Sequence, residues 1–165
     1  MGKIEMSQSQ FANFVSDPSL PQNVVLMSSY RDTLNEPHTK WLDPVLGRLQ
    51  ELLRLHQGWD GYNGVAVTLA NAYFTIRMLE ATCGPNTPVP QIVPGVAGDL
   101  QIEWHTLKGD VELHVRTPNV VHAWSSVEGR HPEEEEISLT NDFSLIANWV
   151  KEITESPIAA SAAAA

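Results

Sequence analysis

Histidines and carboxylates alternate with apolar residues over a stretch in the middle of the chain. Glu103 and His105 are two residues apart, as are Glu112 and His114, and His122 follows in a third segment of the same kind. Imidazole and carboxylate groups on neighbouring strands could bind zinc or another divalent ion, or act as general acid and base. The same residues also fit charge pairs across a wet strand face, which is the interpretation we favour.

Strict alternation marks the strands that would carry these side chains. Residues 100–105 (LQIEWH) and 111–116 (VELHVR) each alternate apolar and polar, the pattern of strands with one buried face. Between them, Gly109 can take the positive φ of a tight turn. We expect Lys108 and Gly109 to form a two-residue hairpin turn.

This turn would decide which residues pair. On the buried face it places Trp104 opposite Leu113 and Ile102 opposite Val115. On the other face it pairs His105 with Glu112, Glu103 with His114, and Gln101 with Arg116. A slip of one residue would put Trp104 opposite a charged side chain, so this exchange of faces is strongly disfavoured.

Further segments complete the sheet. We expect residues 91–93 to form an edge strand and residues 120–124 a fourth strand after a turn at Pro118-Asn119. A two-residue loop there would bury His122 and Trp124, and a three-residue loop would bury Val121 and Ala123; we prefer the second. An acidic loop over residues 133–136 would lead into a possible further strand at 137–139.

Apolar residues at helical spacing flank these strands. They predict one helix from Asp43-Pro44, a second from Thr68 to about Cys83, and a last one ending near Ile153. The fold expected is α+β: an antiparallel sheet of about four strands, packed on one face by two preceding helices and one C-terminal helix. Residues 41–155 would form this domain, after a loosely organised arm (1–40) and before an alanine-rich, disordered tail (156–165).

A glycine-punctuated loop, GWDGYNG, follows the first helix. In a structural interpretation, Trp59 and Tyr62 anchor the loop in the core while Asp60 accepts hydrogen bonds from backbone N–H groups. In a functional interpretation the two aromatic residues form a recognition surface, since Trp and Tyr are favoured interface anchors.

The chain carries a formal net charge of −10, concentrated towards its end. Between Glu128 and Glu155 there are eight acidic residues and two basic ones. Such a field repels phosphate backbones and attracts basic proteins, so we expect no direct nucleic-acid binding. A solvated loop that aids solubility is the alternative. The candidate partner-binding residues are Trp59, Asp60, Tyr62, Glu133, Glu134, Glu135 and Glu136.

Several classes of protein are disfavoured. No apolar run approaches the roughly 20 residues of a membrane span, and the first residues lack a secretory core, so we expect a cytoplasmic location. The single Cys83 allows neither an internal disulfide nor a cysteine-built metal site. Motifs of nucleotide-binding, serine-hydrolase and zinc-protease enzymes are missing, and we expect no cofactor.

Two blocks of the sequence carry a resemblance. They are GWDGY at residues 58–62 and PQIVPGVAGDLQIEWHTLKGDVELHV at residues 90–115. The chain resembles a group of small bacterial proteins that share both blocks, over about residues 45–154. The resemblance brings no established chemistry and therefore no catalytic residue. Because such proteins belong to accessory or mobile gene sets, it implies a toxin-neutralising or defence-associated role.

The function predicted from the sequence is a non-enzymatic protein-binding module, antitoxin-like or immunity-like, that engages a basic protein partner. The first alternative is a small metal-dependent enzyme that uses Glu103, His105, Glu112 and His114. The second is a phage-derived or structural assembly component, which formation of a homo-oligomer would favour.

Overall fold

The computed structural model describes residues 39–129, 131–138 and 142–154, and for residues 133–138 the backbone alone. Two helices, α1 (Leu42–Leu52) and α2 (Leu69–Thr82), precede the sheet, and α3 (Ser144–Thr154) follows it. The strands are β1 (Gln91–Pro94), β2 (Leu100–Thr106), β3 (Gly109–Thr117), β4 (Val120–Val127) and β5 (Glu133–Ser138). The predicted tail, and the predicted arm except for its last two residues, lie outside the described residues.

The five strands form one antiparallel sheet in the order β1-β2-β3-β4-β5. The predicted α+β class, with helices on one sheet face, is confirmed. The fifth strand, β5, includes residues 137–138 of the possible further strand, but it begins at Glu133, so the prediction of a loop over residues 133–136 is wrong. The acidic run therefore lies in a terminal strand of the described sheet.

The hairpin of β2 and β3 has the predicted faces but not the predicted pairs. Trp104 lies opposite Val111, and Ile102 lies opposite Leu113. The turn is formed by Leu107 and Lys108, so the register differs by two residues. A slip of two leaves every side chain on its own face, so alternation cannot detect it.

Contacts around the turn explain this register. The hydroxyl of Thr106 donates to the carbonyl of Gly109 at 3.0 Å and accepts from the Lys108 N–H at 3.1 Å. Gly109 lies at the start of β3 with a φ of 148°. A Cβ there would collide with the carbonyl oxygen of Ser126. Gly109 is thus needed for close approach to β4, not for the turn itself.

The preferred faces of β4 are confirmed, whereas the three-residue loop that was expected to produce them is not formed. Val121 and Ala123 are fully buried, while His122 and Trp124 point to the other face. Pro118 and Asn119 form a two-residue turn, with Asn119 at a φ of 67°. The register shifts by one residue between Val115 and Thr117. This extra residue in β3 gives Val121 and Ala123 the same buried face that a three-residue loop would have given them.

Each helix is tied to the sheet by a side chain as well as by apolar packing. Arg48 of α1 donates to the carbonyl of Ile92 in β1 at 2.9 Å. Asn71 of α2 donates to the carbonyl of Arg116 in β3 at 3.3 Å and to that of Gly98, just before β2, at 2.8 Å. The Thr106 hydroxyl also lies 3.0 Å from the carbonyl of Ile153 in α3, so its single proton is shared between the carbonyls of Gly109 and Ile153. Thr68 caps α2 as predicted, its hydroxyl accepting from the Asn71 N–H. The described helices contain 11, 14 and 11 residues, and none has the length and apolar character needed to cross a membrane.

Three tryptophans belong to the core between helices and sheet. Trp41, Trp104 and Trp149 are at most 4% exposed. The indole of Trp104 donates to the carbonyl of Pro88 at 2.9 Å, and that of Trp41 donates to the carbonyl of Gly84 at 3.2 Å. Only Trp59 and Trp124 are left as partly exposed tryptophans.

Candidate functional site

The sheet face turned away from the helices, which we call the outer face, carries the polar side chains of β2, β3 and β4. They form three cross-strand rows. The rows are Gln101, His114 and His122; then Glu103, Glu112 and Trp124; then His105, Asp110 and Ser126. On the β5 backbone, Glu136 continues the first row and Glu134 the second.

A concavity of about 460 Å³ opens in the middle of this face. It is lined by Gln101, Glu112, His114, His122 and Trp124. An indole, an amide, a carboxylate and two imidazoles thus surround one space. Such a mixture of one aromatic wall and several polar groups is typical of a binding site.

Asp99 holds His114 from outside the rows. The carboxylate Oδ2 of Asp99 is hydrogen-bonded to Nε2 of His114, and Oδ1 accepts from the Ala97 N–H at 2.9 Å. Burial would raise the pKa of Asp99, but the hydrogen bonds from His114 and from backbone N–H groups outweigh it and lower the pKa. A Cβ at Gly95 would occupy the place of this carboxylate, so the turn before β2 is shaped to receive it.

His105 lies between two carboxylates at the end of the face nearest the hairpin turn. Its Nδ1 is 3.0 Å from Asp110 Oδ1, and its Nε2 is 3.2 Å from Glu103 Oε2. The hydrogen bond to Asp110 raises the pKa of His105 most, and the hydrogen bond to Glu103 raises it further. The predicted partner of His105 was Glu112 and that of Glu103 was His114; both predictions are wrong because of the two-residue register difference.

The four residues considered for a metal ion do not converge on one point. His105 is bonded to Glu103 and Asp110, whereas His114 is bonded to Asp99. Within residues 39–129, 131–138 and 142–154, no three His, Cys, Asp or Glu side chains are arranged to hold a metal ion. The arrangement favours hydrogen bonding and proton exchange by the Asp99–His114 pair over metal coordination.

The GWDGY loop combines the two interpretations given to it. Asp60 Oδ1 accepts from the N–H groups of Tyr62 and Gly64, each at 2.9 Å, and these bonds lower the pKa of Asp60. Trp59 is half-buried and donates to the carbonyl of Val65 at 3.2 Å. Tyr62, expected in the core by the structural interpretation, is 85% exposed. Asp60 therefore orders the loop, and Tyr62 projects from it.

The two sequence blocks meet beside the concavity. Val65, at the end of the GWDGY loop, forms a parallel bridge with Ala97 and donates to the carbonyl of Val96 at 2.8 Å. Ala97 in turn donates to Asp99, which holds His114. A continuous set of hydrogen bonds thus joins the glycine-rich loop to the wall of the concavity.

Of the remaining candidates, Glu133 to Glu136 supply the backbone of β5. Cys83 follows α2, and burial raises the pKa of its thiol to about 12, which leaves no thiolate near neutral pH. It lies at a second concavity of about 720 Å³ between the ends of α2 and α3.

Sequence reasoning missed two residues that line the concavity, Gln101 and Trp124, and also Asp99, which is bonded to the lining residue His114. Alternation already placed Gln101 on the polar face, and the preferred β4 register placed Trp124 there. No sequence pattern indicated Asp99, because its hydrogen bond to His114 depends on the turn that precedes β2.

Comparison of the chain with models of protein families, with curated proteins and with solved structures found no match.

Proposed function

We propose that this protein is a non-enzymatic binding module of the cytoplasm that engages a basic protein partner through its acidic edge and outer face. The observation that carries the proposal is the position of the acidic run. Four consecutive glutamates occupy β5, the strand next to the half-buried Trp124 in β4. A strand of acidic residues paired with a strand that carries a half-buried indole favours a basic protein surface.

Tyr62 supports the same proposal from another part of the chain. Its ring is 85% exposed although the loop beneath it is ordered by Asp60. A side chain held out on a fixed loop loses little entropy when it binds, which is an advantage in an interface anchor.

The class of partner follows from the charge and from the resemblance described above. A small basic toxin, neutralised by an acidic antitoxin-like or immunity-like protein, fits both. The net charge of −10 would also speed encounter with such a partner.

The test is affinity purification of this chain from its native host. We expect a stoichiometric basic protein whose binding weakens as salt rises, because exposed charge pairs are screened. Replacing Glu133, Glu134, Glu135 and Glu136 by Gln should reduce recovery. The matched control replaces four other glutamates, Glu51, Glu80, Glu128 and Glu152, and should retain the partner.

Two outcomes would contradict the proposal. One is the recovery of no stoichiometric partner at low salt. The other is equal loss of binding in both quadruple variants, which would mean that total charge matters and β5 does not. If β5 only protects a sheet edge against self-association, its Gln variant should form oligomers yet keep the partner.

The Asp99–His114 pair supports a second candidate, an enzyme that uses acid–base chemistry at the concavity. A carboxylate that orients an imidazole is a common arrangement for proton transfer. The test is turnover of chromogenic ester, phosphate and glycoside substrates by the wild type and by His114→Ala. Turnover that is absent in the wild type, or unchanged in the variant, argues against this candidate.

A further inference from the structure

Three groups around the concavity have unused hydrogen-bonding capacity. Within the described residues, Glu112, Gln101 and the indole N–H of Trp124 have no hydrogen-bond partner. All three residues are half-buried. Glu112 and Trp124 are direct neighbours across β3 and β4, and Gln101 lies in the adjacent row.

Among the described residues, Glu112 has a like-charged neighbour on this face and no cation paired with it. Glu112 lies directly opposite Glu103, and like charges in that position destabilise a sheet. Two imidazoles, His105 and His114, are bonded to three other carboxylates, and within the described residues no cation is paired with Glu112. A cation at Glu112 would remove this repulsion.

We infer that the concavity receives an arginine side chain of the protein partner, with the guanidinium stacked on Trp124 and hydrogen-bonded to Glu112 and Gln101. This inference rests on the proposed function and specifies where the basic partner binds. A guanidinium is planar, carries five donors and stacks on aromatic rings, which suits an indole wall beside a carboxylate and an amide oxygen.

The same geometry discriminates among ligands. A lysine ammonium is a strongly hydrated point charge without a flat surface, so it would use Trp124 less well. An anion would face Glu112 and Glu103 and be repelled. Arginine is therefore the occupant that uses the indole, the carboxylate and the amide together.

The experiment titrates the ¹⁵N-labelled full chain with a blocked pentapeptide that has one arginine between glycines. The readouts are the indole resonance of Trp124, assigned by its loss in Trp124→Phe, and the side-chain amide of Gln101. We expect saturable shifts of both resonances. A peptide with citrulline, the neutral isostere, should bind at least about tenfold more weakly, since a charge-assisted hydrogen bond is lost.

Matched variants locate the binding. Glu112→Gln keeps shape but removes the charge and should weaken the arginine peptide about tenfold or more. Glu128→Gln removes the same charge from a turn outside the concavity and should bind as the wild type does. Equal binding of the citrulline peptide, tighter or equal binding of a lysine peptide, or wild-type binding by Glu112→Gln would each overturn the inference.

The partner assay separates this inference from the proposed function. If the wild type recovers a basic partner and Glu112→Gln recovers it equally well, the arginine site is wrong and the binding function stands. If no partner is recovered but the peptide binds at Trp124 and Glu112, the proposed function fails and the arginine site stands. Unchanged far-UV circular dichroism of each variant is the check on folding.

Discussion

The two histidines of β2 and β3 differ in role because each is bonded to different carboxylates. His114 is held by one carboxylate, Asp99, at the wall of the concavity. His105 has both ring nitrogens bonded to carboxylates, so neither nitrogen is left for a ligand. Two histidines that look equivalent in sequence thus have different surroundings: His105 is bonded at both ring nitrogens, whereas His114 borders the concavity.

Titration of His105 tests whether Asp110, and not Glu112, is the carboxylate bonded to its ring. We expect its pKa above the ordinary imidazole value, and Asp110→Asn should lower it more than Glu112→Gln does. Because the folded pKa is raised, the stabilising contribution is complete below the unfolded pKa and is lost as pH rises through the folded pKa. The measurement is the Cε1 proton shift against pH; a larger effect of Glu112→Gln would instead support the register predicted from sequence.

Asp60 allows a second test at the same scale. Asp60→Ala should speed hydrogen exchange at the amides of Tyr62 and Gly64, because both donate to its carboxylate. The pKa of Asp60 is lowered, so this stabilisation is present above the unfolded pKa and is lost as pH falls through the folded value. Asn63→Ala, which leaves both bonds intact, is the control, and equal exchange rates in the two variants would contradict the assignment.

At the scale of elements, glycine has opposite effects in a helix and in the hairpin. Gly47 lies inside α1, and among the described residues no atom other than those of its chain neighbours and its own helix backbone lies within 4 Å of the position that a Cβ would take. Gly109 has a φ of 148° and no room for a Cβ beside Ser126 and Val127. Gly47 therefore makes α1 less stable than alanine would, whereas β3 requires Gly109.

Two glycine-to-alanine variants should therefore change the free energy of unfolding in opposite directions. Gly47→Ala should raise it by about 0.5–1 kcal/mol through helix propensity. Gly109→Ala should lower it by about 1–3 kcal/mol through backbone strain and collision. Urea denaturation measures both, and a destabilised Gly47→Ala would show that α1 is packed more tightly at this residue than the structure indicates.

At the scale of the whole molecule, β2 links the sheet to several other parts. Trp104 is buried beneath the helices and bonded to Pro88, and Thr106 is bonded to the end of α3. Such contacts between segments distant in sequence should make the sheet and helices unfold together.

Trp104→Ala tests that cooperation. We expect a loss of about 3–5 kcal/mol in the free energy of unfolding, because a large core side chain and its bond to Pro88 are removed. Leu107→Ala, in the same hairpin but fully exposed, should change it by less than about 0.5 kcal/mol. Circular dichroism and tryptophan fluorescence should give coincident transitions for the wild type; separate transitions would contradict a single core.

The sequence determined the α+β class, the three helices and the face of each side chain in β2 and β3, because these follow from local periodicity. It also indicated the preferred face of β4. Tertiary structure decided the rest. Alternation has a period of two, so only the contacts of Thr106 and Gly109 with their neighbours selected the register that separates His105 from Glu112.

The candidate site depended still more on distant contacts. The residues around Asp99 in the sequence do not predict its contact with His114, because that contact joins a turn to a strand 15 residues away. The concavity likewise exists only where Gln101, Glu112 and Trp124, from three strands, meet on one face. Residue type and spacing specified the faces, and the pairing of the strands specified which chemical groups share a space.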